Sequence, residues 1–163
     1  MVGIFCIKRF VLSLIKRTFK TNIEHAMKYW LIKSEPHKYS WQQMQDDGHT
    51  FWDGVRNYAA RIFLREMEAG DLCYFYHSNE GKEIVGITEV VKPAYQDPTT
   101  EDDRWVAVDV KAVKSMNRPI TLAELKADDL LKEMRFVKQS RLSVAPVTSD
   151  EFHKILALTE TKL

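Results

Sequence analysis

The chain has 163 residues, 45% hydrophobic and 29% charged, which suits one globular domain with a single core and requires no second. Its net charge of +1 conceals a basic head: Lys8, Arg9, Lys16, Arg17 and Lys20 stand against Glu24, leaving residues 27–163 mildly acidic. That balance gives no support for tight nonspecific duplex binding, which needs a cation for each neutralised phosphate, although a local basic patch is compatible with it.

The head, residues 1–26, centres on the apolar run Phe10 to Ile15, far below the roughly 20 residues of a membrane span and without a convincing small-residue cleavage site. Two readings stand. It is either a basic, acid-poor presequence of mitochondrial type, or a start placed ahead of the true one, with Met27 opening the domain; the absence of a linker before the first strand favours the second. Cys6 and Cys73 lie far apart with no partner spacing. Neither a zinc site nor a disulfide framework is indicated, Cys73 reads as a buried strand residue, and the expected setting is reducing. The cytoplasm is the default, with mitochondrion or nucleus open to a eukaryotic chain.

The domain, residues 27–163, opens with Tyr29-Trp-Leu-Ile-Lys-Ser-Glu-Pro36, an apolar strand that stops in a cation, a hydroxyl and a carboxylate at its rim. Ser40, Gln43 and the Tyr39/Met44 pair read as a capping box and staple for a helix that Asp46-Asp47-Gly48 closes. Trp52-Asp-Gly-Val-Arg-Asn-Tyr58 reads as a turn leading into a helix at Asn57. On that helix Ala60, Phe63, Leu64 and Met67 form one apolar stripe, and Gly70 is the expected stop.

Leu72 to His77 and Ile84 to Val91 read as a hairpin, with Gly86 at a bulge or bend. A loop from Pro93 to Arg104 precedes a strand from Trp105 to Lys111, whose Val106, Val108 and Val110 share a face. Thr121 to Glu124 is a capping box for a short helix, and a second short helix is expected from Asp128 or Asp129 to Met134. Arg141 to Pro146 reads as an edge strand, and Thr148 to Glu151 caps a last helix that turns Phe152, Ile155 and Leu156 inward. Strands scattered among short helices without a βαβ rhythm predict an α+β fold built on a small, partly open barrel.

Most catalytic and metal chemistries lack their signatures. His25, His37, His49, His77 and His153 show no i, i+4 pairing and no cysteine partners. No glycine-rich phosphate loop or nucleophile elbow occurs, and the adjacent acid pairs Asp46-Asp47, Asp102-Asp103 and Asp128-Asp129 read as solvated turns or helix starts. Each of Trp30, Trp41, Trp52 and Trp105 taken singly reads as core. Trp52 differs in context, because the turn after it brings Arg56, Asn57 and Tyr58 to a helix start whose free N–H groups can meet an acceptor. A plain N-cap role for Asn57 and a plain turn role for Asp53 stand beside that reading.

Five segments together resemble the EVE domain family: Tyr29 to Pro36, Trp52 to Tyr58 with Arg61, Phe75-Tyr-His-Ser78, Gly86 to Val91, and Arg141 to Val144. The likeness runs in order over essentially all of residues 27–160. It implies a PUA-like fold, a small mixed β-barrel with flanking short helices, related to the YTH and ASCH domains. It also implies a non-catalytic module that holds a modified base, a modified cytosine in DNA or a base presented by RNA, with no cofactor, metal or membrane span. Carried over by matching motif, Trp30, Lys33, Ser34, Glu35, Trp52, Asn57, Tyr58, His77 and Ser78 line the base pocket. Arg56, Arg61 and Arg141 contact the backbone phosphates or brace the loops.

A flipped base needs an apolar or aromatic sandwich for its faces and a few placed donors and acceptors for its edge, which these segments supply. Many family members carry glutamine after Tyr58 and asparagine after Arg61, where this chain has Ala59 and Ile62, so the identity of the base stays open. Two other classes compete: an enzyme acting on a base or nucleotide, with Glu35 and His77 as its acid–base pair, and a module whose apolar groove takes a peptide.

Overall fold

The computed structural model describes residues 26–163; residues 1–25, with Cys6, His25 and the expectations for the basic head, lie outside it. The elements run β1 (Tyr29–Ser34), α1 (Trp41–Asp47), β2 (His49–Trp52), α2 (Tyr58–Glu66), β3 (Leu72–His77), β4 (Glu83–Gln96), β5 (Val106–Thr121), α3 (Leu122–Ala127), a 3-10 turn (Leu131–Glu133), α4 (Arg135–Lys138), β6 (Val144–Val147) and α5 (Ser149–Leu158). The predicted α+β class holds. One mixed six-stranded sheet carries the fold in the order β2-β5-β4-β3-β1-β6. It is an open sheet rather than a closed barrel, ending at β2 and β6.

Four of the predicted caps form. Ser40 caps α1 by accepting the Gln43 N–H, and Asn57 caps α2 by accepting the Ala60 N–H. Thr121 and Thr148 close full capping boxes with Glu124 and Glu151. The α2 stripe is buried as its spacing requires, Ala60 and Leu64 completely, and packs beneath the sheet with Met67.

Beyond these, the structure differs from the sequence expectations in identifiable places. The helix that Gly70 was expected to stop ends at Glu66, and Gly70 instead turns the chain into β3 at a φ of 96°, its N–H bonded to the Val90 carbonyl. Residues 49–52 form a strand, β2, on the edge of β5, although four residues of mixed polarity carry little periodic signal. The long β4/β5 ribbon runs through Pro93 and Pro119, because register shifts release the ladder near both. The helix expected up to Met134 is a 3-10 turn, and α4 starts one residue later at Arg135.

β1 is the hinge of the architecture. It pairs in parallel with β3 and antiparallel with β6, so Lys33 stands beside Tyr76, Ser34 beside His77, and β6 seals the other side. Parallel pairing sends the polar C-terminal ends of β1 and β3 out of the sheet together. Gly86 sits at the predicted irregularity of β4, and the Trp41 indole occupies the space a Cβ there would need.

Candidate base-binding cavity

A cavity of about 1000 Å³ opens where the paired ends of β1 and β3 meet the turn after β2, the start of α3, and the α4–β6 connection. This is the upper end of ordinary ligand-site volumes and has room for a base with part of its backbone. Its apolar walls include Trp52 from β2, Tyr76 from β3, Phe136 and Val137 from α4, and Val55 and Leu142 from loops. Trp52 is 8% exposed, held edge-on to Phe75 at 5.5 Å and to Tyr39 at 6.3 Å between ring centroids. Tyr76 is buried against Phe136, and burial, helped by the nearby Glu83, raises its phenol to about 12. It therefore stays protonated.

The cavity's polar lining is strongly biased in charge. Lys33, Lys38, Arg56, Lys82, Lys126 and Arg141 line it against only Glu35 and Asp53, on a body whose overall balance is acidic. Lys33 lies near the Tyr76 and Phe136 rings, 5.7 and 5.2 Å from their centroids, and donates to the Ser140 carbonyl at 3.1 Å. Its partial burial lowers its pKa. The Glu35 carboxylate is spent on Lys38 at 3.1 Å and on His37 at 3.3 Å. Ser34 and Ser78 knit the strand ends: Ser34 donates to the Tyr39 carbonyl, and both the N–H and the hydroxyl of Ser78 donate to the Ser34 carbonyl.

The Trp52–Asn57 turn is held from below by Asp97, a fully buried carboxylate on the loop after β4. It accepts from the Gly54 N–H at 3.1 Å, from Arg56 at 2.7 Å and from the Thr99 hydroxyl and N–H. Burial by itself raises its pKa, but the bonds from Thr99, Arg56 and Gly54 outweigh that and hold it at about 2. Arg56 is in turn stacked 5.6 Å from the Trp105 ring centroid. Gly54 makes the reversal at a φ of 68°. A buried acid that the turn signature did not reveal thus fixes the approach to the α2 N-terminus.

Of the residues the motifs nominated, Lys33, Ser34, Glu35, Trp52, Asn57, Ser78, Arg56 and Arg141 come together at this cavity. Trp30, His77, Tyr58 and Arg61 are not among its lining residues. Trp30 is buried, with its indole N–H donating to Asp71 at 2.8 Å. His77 alternates away from Tyr76 and Ser78, and its Nε2 accepts the Trp41 N–H at 3.0 Å at the start of α1. That bond needs an unprotonated nitrogen, and burial lowers the imidazole pKa against a weaker opposing pull from Glu83.

Tyr58 is 57% exposed beside Trp105, and Arg61 stacks over both rings while donating to the Arg104 carbonyl. Glu35 and His77, the pair an enzymatic reading requires, are therefore engaged with different neighbours. The positions that depart from the family pattern, Ala59 and Ile62, also lie outside the lining, and Ile62 is 51% exposed.

Lys38, Tyr39, Tyr76, Lys82, Lys126, Phe136 and Leu142 line the cavity without having been nominated. Tyr76 could have been found: strand alternation places it, rather than His77, on the face of Ser78. Lys126 and Phe136 come from helices far along the chain and carry no local signal. Among the described residues no group of histidine, cysteine and carboxylate side chains could hold a metal, and no helix is long and apolar enough to cross a membrane.

The EVE domain model matches residues 28–158. Thymocyte nuclear protein 1 of Mus musculus is 39% identical over 89% of this chain and 79% of its own length. The crystal structure of human THYN1 protein in complex with 5-methylcytosine containing DNA superposes with a TM-score of 0.76 at 37% identity, covering 83% of this chain and 99% of that one. A YTH domain from Zygosaccharomyces rouxii shares the fold alone, with a TM-score of 0.54 at 18% identity over 83% of this chain and 88% of its own.

Proposed function

This chain belongs to the EVE domain family, and from that premise we propose that it is a non-catalytic reader of a modified nucleobase, methylated cytosine in DNA. The observation that carries the reading is the composition of the cavity: aromatic and apolar walls under a rim of six cations and two carboxylates. Stacking supplies on the order of 1–3 kcal/mol per base whatever its identity. Placed polar groups, costly to leave unpaired, supply the discrimination. The rim cations other than Lys33 meet the phosphates on either side of the extruded nucleotide, which is how a protein of acidic body holds a polyanion. The DNA bound by human THYN1 protein supports methylcytosine as the ligand to try first, and the name of the mouse relative supports a nuclear site of action.

In this arrangement Trp52 and Tyr76 wall the base, Lys33 and Asn57 face its edge, and Arg56 and Arg141 meet the backbone. Tyr58 and Arg61, stacked with Trp105 beside Arg56, brace the turn. The test is fluorescence anisotropy with labelled oligonucleotides of one sequence carrying cytosine, 5-methylcytosine or 5-hydroxymethylcytosine at one position, in single-stranded and duplex form, at two salt concentrations. Selective binding that weakens steeply with salt is the expected result. Binding that ignores both modification and salt sinks the assignment and favours an uncharged peptide groove.

A further inference from the structure

The amide of Asn57 has its orientation decided by the helix it caps. Its Oδ1 accepts the Ala60 N–H at 3.0 Å, at backbone angles of −102° and 127° that are ordinary for an N-cap. Only the oxygen of an amide can accept, so the cap bond forces Nδ2 to be the group left over. Asn57 also lines the cavity, and no described residue accepts from that nitrogen. An asparagine is usually ambivalent toward a ligand. This one is not, because turning the amide over would set two N–H groups against each other and uncap α2.

We infer that Asn57 is the specificity-determining donor of the site, reading a hydrogen-bond acceptor at the ring nitrogen N3 of the bound base; the inference rests on the reader assignment above. Cytosine and 5-methylcytosine present a lone pair at N3. Thymine carries the same 5-methyl group, the same ring size and the same O2 carbonyl, but presents N3–H. A pocket that recognised only shape and the methyl group would confuse the two. A donor locked by a helix cap does not, because thymine sets N–H against N–H in a partly desolvated site and leaves both unpaired.

The two roles of Asn57 separate experimentally, since aspartate and serine cap a helix about as well as asparagine. Asn57→Ser keeps the cap and withdraws the amide N–H groups from the cavity, leaving only a shorter hydroxyl close to the backbone, without adding charge. Asn57→Asp keeps the cap and offers an acceptor in place of the donor. The full chain and both variants are titrated with single-stranded oligonucleotides carrying cytosine, 5-methylcytosine or thymine at one position. The readout is the 5-methylcytosine to thymine affinity ratio, in which phosphate contacts cancel.

The expected wild-type ratio is about tenfold or more, the scale of one unpaired polar group. It collapses toward one in Asn57→Ser and inverts in Asn57→Asp, while the melting temperatures of both variants stay at the wild-type value. A wild-type ratio preserved in both folded variants overturns the inference and leaves the reader assignment standing. A uniform loss of affinity for all three oligonucleotides at constant ratio also overturns it, because it assigns Asn57 to a phosphate or to O2. A wild-type protein that fails to prefer methylated over unmodified cytosine overturns the reader assignment itself.

Discussion

The indole N–H of Trp30 donates to the buried carboxylate of Asp71 at 2.8 Å, and that carboxylate also accepts the N–H groups of Lys28 and Glu68 at 3.0 Å each. The most conspicuous aromatic of the first strand is thus a clamp between β1 and the α2–β3 connection. Trp30→Phe keeps most of the apolar volume and removes one donor from a fully buried acid. It is expected to lower stability by about 1–3 kcal/mol in a denaturant titration, with oligonucleotide affinity unchanged. Lost affinity in a folded Trp30→Phe protein assigns Trp30 to the base after all.

Trp52 calls for a milder substitution than alanine. Its ring is packed against Phe75 and Tyr39 as well as lining the cavity, so Trp52→Ala opens a hole costing about 3–5 kcal/mol and confounds binding with unfolding. Trp52→Phe is expected to fold and to weaken binding of modified and unmodified bases by a similar factor, since stacking is indifferent to the edge.

Gly86 and Trp41 are in such close approach that a β-carbon at residue 86 would stand 2.3 Å from the nearest indole ring carbons. Trp41 cannot swing away freely, because its Nε1 donates to the Ser115 hydroxyl at 2.9 Å and its own N–H is held by His77. Gly86→Ala is expected to cost about 1–3 kcal/mol through overpacking, read as a lower denaturation midpoint. A wild-type midpoint shows that α1 shifts without cost.

His77 makes stability depend on pH with a definite sign. Its folded pKa lies below the ordinary 6.5, chiefly through burial. Between the two values the unfolded chain binds a proton that the folded one refuses, so stability falls as pH drops below about 6.5 and levels off below the folded pKa. His77→Gln retains an acceptor for the Trp41 N–H and does not titrate. The melting temperature of the variant is expected to vary less than that of the wild type between pH 6.5 and the acid side of the transition, and parallel curves for the two proteins refute the assignment.

Asp97 acts with the opposite charge at a lower pH. Its folded pKa of about 2 against an ordinary 3.8 means that its contribution is complete above the ordinary value and disappears as pH falls through the folded one. Asp97→Asn weakens the bonds to Arg56 and Gly54, and is expected to cost about 2 kcal/mol at neutral pH and to reduce oligonucleotide affinity by loosening the turn before Asn57. Full affinity in this variant shows that the turn holds its shape without the carboxylate.

Local chemistry made much of this fold legible. Ser40, Asn57, Thr121 and Thr148 each announced a helix start, and the 3.6-residue stripe on α2 and the valine alternation on β5 announced their buried faces, because such signals need only neighbours in sequence. β2 carried no such signal, and the ribbon of β4 and β5 ran past its prolines, since an edge strand and a bulged ladder are decided by pairing with a distant partner. The same divide runs through the cavity. Lys33, Ser34, Glu35, Trp52, Asn57 and Ser78 sit in contiguous motifs, while Lys126 and Phe136 are delivered by helices that only tertiary packing brings to the strand ends.

The sequence by itself determined which residue types are available, where the chain turns and caps, and the family to which those motifs correspond. Tertiary structure decided what each of them does. Parallel pairing of β1 with β3 and strand alternation set Tyr76 and Ser78 toward the cavity and His77 toward α1. A buried acid at Asp71 claimed Trp30, and another at Asp97 claimed Arg56. The physical reason is that a side chain's hydrogen-bonding capacity is finite: what remains for a ligand is what the fold has not already used, and that remainder depends on partners dozens of residues away.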